Sequence, residues 1–310
     1  MEKRTTIMLV AIIAIIIIAV GYWYATTGTQ SLAGTIEIDG SSTVFPITQA
    51  VAEEFQKDHP DVYPIVGVSG TGGGFKRFTV GETDISDASR PIKDSEAQAA
   101  ADNGIEYIEF EIALDGLAVV VNHDNTWVDY LTVEELNMIW NPDSTVNSWN
   151  DIRPEWPNQP IRLYGPGTDS GTFDYFTEVI MGEAGSSRSD YTASEDDNVL
   201  VQGIAGDTYA LGYFGYAYYA ENTDTLKIVP IDSGSGPVIP TDQTITSGQY
   251  APLSRPLFIY VSKASLARSE VASFVRFYLE NAEQLVAEVG YTPLATSVYQ
   301  QNLATLDQQT

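Results

Sequence analysis

The chain has 310 residues, with 42 acidic against 15 basic side chains and a formal charge of −27. Such a surface repels phosphate backbones and argues against nucleic acid as a partner. The absence of cysteine excludes disulfides, thiolate metal sites, a cysteine nucleophile and a lipid-bearing cysteine anchor.

The length suffices for two lobes with separate cores, and a hydrophobic content of 44% is that of an ordinary globular protein. Only 6 of the basic residues are Lys, which together with the excess of acid fits a halophilic or salt-tolerant source. Lys3 and Arg4 precede an uncharged stretch of 19 residues, 7–25. A signal-peptide core is about 7–15 residues long and a spanning helix roughly 17–25. Tyr22, Trp23 and Tyr24 stand where an aromatic belt meets headgroups. The small-residue cleavage candidate Ser31-Leu32-Ala33 lies far beyond the apolar core. An uncleaved apolar helix over residues 1–25 is therefore expected, rather than a cleaved signal, with residues 26–33 as linker. The basic pair places the remainder outside the membrane.

From residue 34 the chain alternates strands and helices. GTIEID at 34–39 reads as a strand, GSSTVFPI leads into a helix with Val51, Ala52 and Phe55 on one face, and 62–68 reads as a second strand. SGTGGGFKRF opens a second helix, TDISDASRPI at 83–92 is a strand end and loop, and 95–101 a short helix. This βα alternation, with small polar residues after each strand, is the pattern of a mostly parallel α/β sheet. Its ligands gather beyond the carboxyl ends of strands. LAVVV at 117–121 and LFIYV at 257–261 are uninterrupted apolar strands far apart in sequence, which suggests two crossings between lobes. Thr132 and Glu135 have the spacing of a capping box. GYFGYAYYA at 212–220 is read as packing beneath a loop rather than ligand stacking, and two helices, about 266–286 and 297–306, end the chain.

Three loops share one design: Gly40-Ser41-Ser42-Thr43, Ser69 to Gly74, and Gly165 to Thr172, each between a strand and a helix. Glycines let backbone approach a ligand, and N–H groups at a helix start favour an anion, with Ser and Thr hydroxyls as added donors. Neither nucleotide fingerprint, GxxxxGK[ST] or GxGxxG, is present. Ser89-Arg90-Pro91 adds a cation, since Pro91 keeps Arg90 out of helical geometry and a guanidinium binds phosphate bidentately. A serine hydrolase would need a histidine near Ser170, and the chain has only His59 and His123, both read as surface residues. No His/Asp/Glu cluster has metal-ligand spacing, so neither metal nor cofactor is expected.

DGSSTVFPI at 39–47, SGTGGGFKRF at 69–78, DASRPI at 87–92, GPGTDSGTFDYF at 165–176 and SRPLFIYV at 254–261 resemble the phosphate-binding proteins of the high-affinity phosphate ABC transporter. The resemblance runs from about residue 34 to the C-terminus. It implies a type II two-lobed periplasmic-binding-protein fold, with lobe one from 34–115 and 257–310 and lobe two from 116–256. It also implies a monomer that buries inorganic phosphate between its lobes and delivers it to membrane permease subunits. The phosphate ligands it implies are Ser42, Thr43, Thr71, Ser89, Arg90, Ser170, Gly171 and Thr172.

Two positions depart from the family pattern: Pro166 stands where its best-known members have an Arg, and Ser89 where they have the Asp that accepts the phosphate proton. Arg90 is then expected to supply the cation, and Asp87 or Asp169 the acceptor. Sulfate, molybdate or tungstate are the alternative ligands.

Overall fold

The computed structural model describes residues 32–168 and 170–309. The apolar stretch 7–25, most of the linker and Asp169 lie outside the described residues. Among those described, no helix is long and apolar enough to cross a membrane.

The first half is built in chain order from β1 (Gly34–Gly40), α1 (Phe45–Asp58), β2 (Val62–Val68), α2 (Gly70–Phe78), β3 (Ile85–Ala88) and α3 (Asp94–Asp102). The long β4 (Tyr107–Asn122) follows. Pro46 sits in the first turn of α1, where its missing N–H costs nothing, and the helix buries Ile47, Val51, Ala52 and Phe55. The second half holds β5 (Leu131–Thr132), α4 (Val133–Trp140), β6 (Arg162–Pro166), α5 (Gly171–Met181), β7 (Thr192–Ser194), α6 (Asp197–Ala205), β8 (Ala210–Gly215) and α7 (Tyr216–Ala220). Short β9 (Leu226–Ile228), β10 (Ile231–Asp232), β11 (Pro237–Val238) and α8 (Asp242–Thr246) complete it. The chain returns through β12 (Ser254–Ser262) and ends in α9 (Ser269–Glu288) and α10 (Thr296–Asp307). The expected capping box forms at α4: Glu135 N donates to Thr132 Oγ1 at 3.1 Å, and Thr132 N to Glu135 Oε2 at 2.8 Å.

The strands follow the path β2-β1-β3-β12-β4-β8-β6-β7, with β9 also on β4 and a separate β11-β10-β5 sheet. Pairing is parallel on the two flanks, among β2, β1 and β3 and among β7, β6 and β8. It is antiparallel in the middle, where β12 pairs β3 and β4, and β4 pairs β8. This is a two-lobed α/β fold whose sheet is mixed rather than mostly parallel at its centre. β4 belongs to both halves: residues 107–116 pair β12, and 117–122 pair β8 and β9. The 117–121 run is thus the far half of a crossing strand. β12 pairs only within the first half, so the return crossing comes just before it, where Leu117 N donates to Leu253 O at 2.9 Å.

α1 and α9 cover one face of the first half, meeting at Phe55 and Phe274 with ring centroids 5.3 Å apart. The other face carries α2, whose Phe75 and Phe78 pack with Ala88, Phe258 and Tyr260. In the second half α6 buries Leu200, Val201 and Ile204 against Ala118, Val120 and Phe214. Trp140 of α4, Phe176 of α5 and Tyr213 of β8 stack on the opposite face, the last two 3.7 Å apart. The aromatic run at 212–220 is therefore packing at Tyr213 and Phe214, as expected from the sequence.

Candidate functional site

Strand direction decides where the site is. β1, β2 and β3 run parallel, so the loops after Gly40, Val68 and Ala88 emerge at one edge of the first half. β12 runs antiparallel to β3, so its first residues arrive at that same edge. β6 brings Gly167, Ser170 and the start of α5 across from them. Gly171 shows how closely the halves approach: a Cβ there would lie 2.5 Å from Thr43 Cα and 2.7 Å from Thr43 N. Gly40 is required for a different reason. Its φ is +150°, and a Cβ would meet Asp87 O at 2.0 Å.

Two cavities open between these walls. One, of about 270 Å³, is lined by Ser41, Ser42, Thr43, Thr71, Ser89, Arg90, Lys93, Asp174, Glu178 and Arg255, among others. The other, of about 230 Å³, is lined by Ser42, Asp115, Ser170, Gly171, Thr172, Glu195, Asp197 and Tyr218, among others. The predicted ligands are thus divided. Ser42, Thr43, Thr71, Ser89 and Arg90 meet in the first cavity, while Ser170, Gly171 and Thr172 face the second, and Ser42 is common to both. The charge of the two cavities differs in kind. The first gathers Arg90, Lys93 and Arg255 beside two carboxylates; the second has three carboxylates and no cation. Burial raises the Asp115 carboxyl and pushes that of Asp197 up to about 7. The cations of the first cavity make it the candidate for an anion, and Ser42 is the residue it shares with the second.

The hydroxyls are held in place locally. Thr71 Oγ1 lies 3.0 Å from Ser89 Oγ and accepts from Ser89 N at 3.1 Å, tying the first turn of α2, where a loop was expected, to the segment after β3. Ser170 caps α5 by accepting from Thr172 N at 3.2 Å. Ser42 Oγ donates across the cleft to Asp174 Oδ2 at 3.1 Å, and Thr43 Oγ1 to Gly171 O at 3.3 Å. Arg90 reaches the cavity as expected, but both of its terminal nitrogens pair with Glu96, at 2.8 and 2.9 Å. Asp87 is placed away from either cavity. It is wholly buried in β3 with neither carboxylate oxygen hydrogen-bonded, and burial pushes its carboxyl up to about 8. Asp174 and Glu178, one turn apart on α5, are the acids that face the anion cavity.

Arg255 is the residue that the sequence reading passed over. It donates to Thr43 Oγ1 at 2.8 Å and to Asp115 at 3.4 Å, and its guanidinium lies 3.6 Å from the Tyr175 ring centroid. A signal was present: Ser-Arg-Pro occurs at 89–91 and again at 254–256.

A family profile described as the PBP superfamily domain matches residues 25–282. The protein SphX of Synechocystis sp. is 51% identical over 279 residues, 89% of this chain and 82% of that one. The phosphate-binding protein PstS of Staphylococcus saprophyticus is 42% identical over 276 residues, 88% of this chain and 85% of its own. This chain belongs to the PstS-like phosphate-binding-protein family. Its fold agrees with that of a possible phosphate binding protein from Planctomyces limnophilus, with a TM-score of 0.87 and 55% identity over 90% of this chain and 99% of the other. An ABC-type phosphate transport receptor from Vibrio cholerae gives 0.64 at 26% identity, over 84% and 100%. Members of this family are solute-binding proteins, and the chain is a binding protein rather than an enzyme. His59 ends α1 against Phe55, with ring centroids 4.5 Å apart.

Proposed function

We propose that this chain is an extracytoplasmic receptor that captures inorganic phosphate in the cleft between its lobes and hands it to the membrane permease of an ABC importer. One observation carries the reading. In a chain of charge −27, one cavity gathers Arg90, Lys93 and Arg255 with the hydroxyls of Ser42, Thr43, Thr71 and Ser89. The resemblance to proteins named for phosphate binding supports the choice of anion. Ser170, Gly171 and Thr172 at the N-terminus of α5 line the adjoining cavity, which meets the first at Ser42, and in this reading they serve the anion from the other half. In this reading the protein acts as a monomer held at the membrane by residues 7–25.

Phosphate carries a proton at neutral pH and sulfate does not, so a carboxylate in the site separates them. In this reading that carboxylate is Asp174, which lines the cavity, rather than the buried Asp87; Asp169 is the second candidate. Calorimetric titration of the full chain in detergent, stripped of bound phosphate, tests the reading. Tight one-to-one binding of phosphate with no response to sulfate is expected at neutral pH and high salt. Equal binding of both, or binding of molybdate or tungstate alone, sinks it.

A further inference from the structure

We propose that Arg255 binds the captured anion directly, and that Glu178 is the counter-ion it holds while the cleft is empty. The inference rests on the anion-receptor reading above and names the cation at its centre.

One Ser-Arg-Pro tripeptide follows directly after β3 and the other opens β12, which pairs β3 antiparallel, so both arginines line one cavity. They are not equivalent there. Arg90 spends Nη1 and Nη2 on Glu96, and its stacking partner Phe75 is 5.5 Å away. Arg255 is the more enclosed, with 13% of its side chain exposed. Its Nε faces Asp115 of β4, its Nη2 bonds Thr43 of the first loop, and Tyr175 of α5 lies against its plane. Its Nη1 makes no hydrogen bond among the described residues. The nearest charge to that atom is Glu178 of α5 at 3.8 Å, too long for a hydrogen bond, and Glu178 is 56% exposed. A guanidinium nitrogen that faces a cavity, opposed only by a half-solvated carboxylate, is available to an anion. An anion placed there displaces Glu178 toward water, where its solvation is regained.

Position adds a second consequence. Arg255 donates to Thr43, and Thr43 donates on to Gly171 O. One side chain at the return crossing thus orients the hydroxyl that bridges the two halves. Anion charge and lobe contact are read through the same group.

The test is phosphate titration calorimetry of the full chain and its variants between pH 6 and 8, where phosphate passes from mainly monoanion to mainly dianion. Arg255→Gln should weaken binding by roughly tenfold or more and abolish the preference for the dianion. Arg255→Lys keeps the charge and should restore that preference, though not full affinity. Glu178→Gln should tighten binding about threefold in the parent and not at all in Arg255→Gln, because its effect passes through Arg255. If Arg255→Gln binds like the parent, the inference fails. It also fails if Arg255→Gln weakens binding with an unchanged pH profile, since that marks packing on Tyr175 rather than charge. Should Arg255→Gln not fold, Glu178→Gln decides alone, and unaltered affinity there overturns the proposal. A parent chain that binds no phosphate overturns the receptor reading itself, and this inference with it.

Discussion

Asp174 faces the first cavity and Asp87 is buried in β3 away from it, so the fold gives the two acids different work. Asp174 takes a hydrogen bond from Ser42 across the cleft and faces the anion cavity. If it accepts the ligand's proton, Asp174→Asn should narrow the preference for phosphate over sulfate by about tenfold or more, the worth of a bond to a charged group. Competition calorimetry reads this directly, and an unchanged ratio removes Asp174 from the role. Asp87 should leave that ratio alone. Its effect is on stability. Burial lifts its carboxyl from an ordinary 3.8 to about 8, so the folded chain holds a proton that the unfolded chain releases in between. Stability from this group is therefore present below the unfolded value and lost as pH rises toward about 8. Asp87→Asn removes the titration. Its melting temperature relative to the parent should be more favourable at pH 8 than at pH 5, and equal differences at both would refute the assignment. Sequence alone does not separate these two residues. All four residues of β3 are buried, so no alternation shows that Ile85 and Asp87 face α1 and α9 while Ser86 faces α2. Asp174 lies in a helix between Phe173, Tyr175 and Phe176, all buried in the structure, so its neighbours in sequence do not mark it as a site residue.

At the scale of elements, what the sequence states clearly is local. The Gly40–Thr43 loop before α1 and the Thr132–Glu135 box follow from spacing, and each is present; Ser69 to Gly74, read as a loop, is instead the N-cap and first turns of α2. Thr132→Ala should cost about 1 kcal/mol, the usual value of a lost N-cap, in denaturant unfolding. Relations that depend on strand partnership are not legible in the same way. An uninterrupted apolar run says that β12 is buried, not that it lies antiparallel between β3 and β4. Without that pairing, Arg255 has no reason to stand beside Thr43, 212 residues earlier. Likewise nothing in Ser89-Arg90-Pro91 shows that Glu96 at the start of α3 takes up the arginine. The meeting of α5 with the first loop offers a sharper test. At Gly171 an added methyl meets Thr43 backbone, which cannot turn aside as a side chain would. Gly171→Ala should weaken phosphate binding by roughly tenfold while leaving the melting temperature of the ligand-free chain nearly unchanged, because the halves can part to relieve the contact. A large loss of melting temperature without ligand would mean that the contact holds the fold and not only the closed cleft.

The whole molecule sets a strongly negative field around a site meant for an anion. Contact donors act over a few Å, whereas the field acts over a Debye length, about 10 Å at 0.1 M salt and about 3 Å at 1 M. Added salt therefore removes the repulsion that slows approach before it weakens the bonds made on arrival. The association rate for phosphate should rise between 0.1 and 1 M sodium chloride, the reverse of what a basic receptor shows, and rapid-mixing filter binding of radiolabelled phosphate would record it. The construction of β4 has a consequence of another sort. Because its first ten residues complete one half and its last six the other, the chain offers no place to be divided. A cut at Gly116 would leave each fragment with an open strand edge in want of a partner, a template for aggregation rather than a domain. The two halves share one strand, and neither sheet is complete without the other.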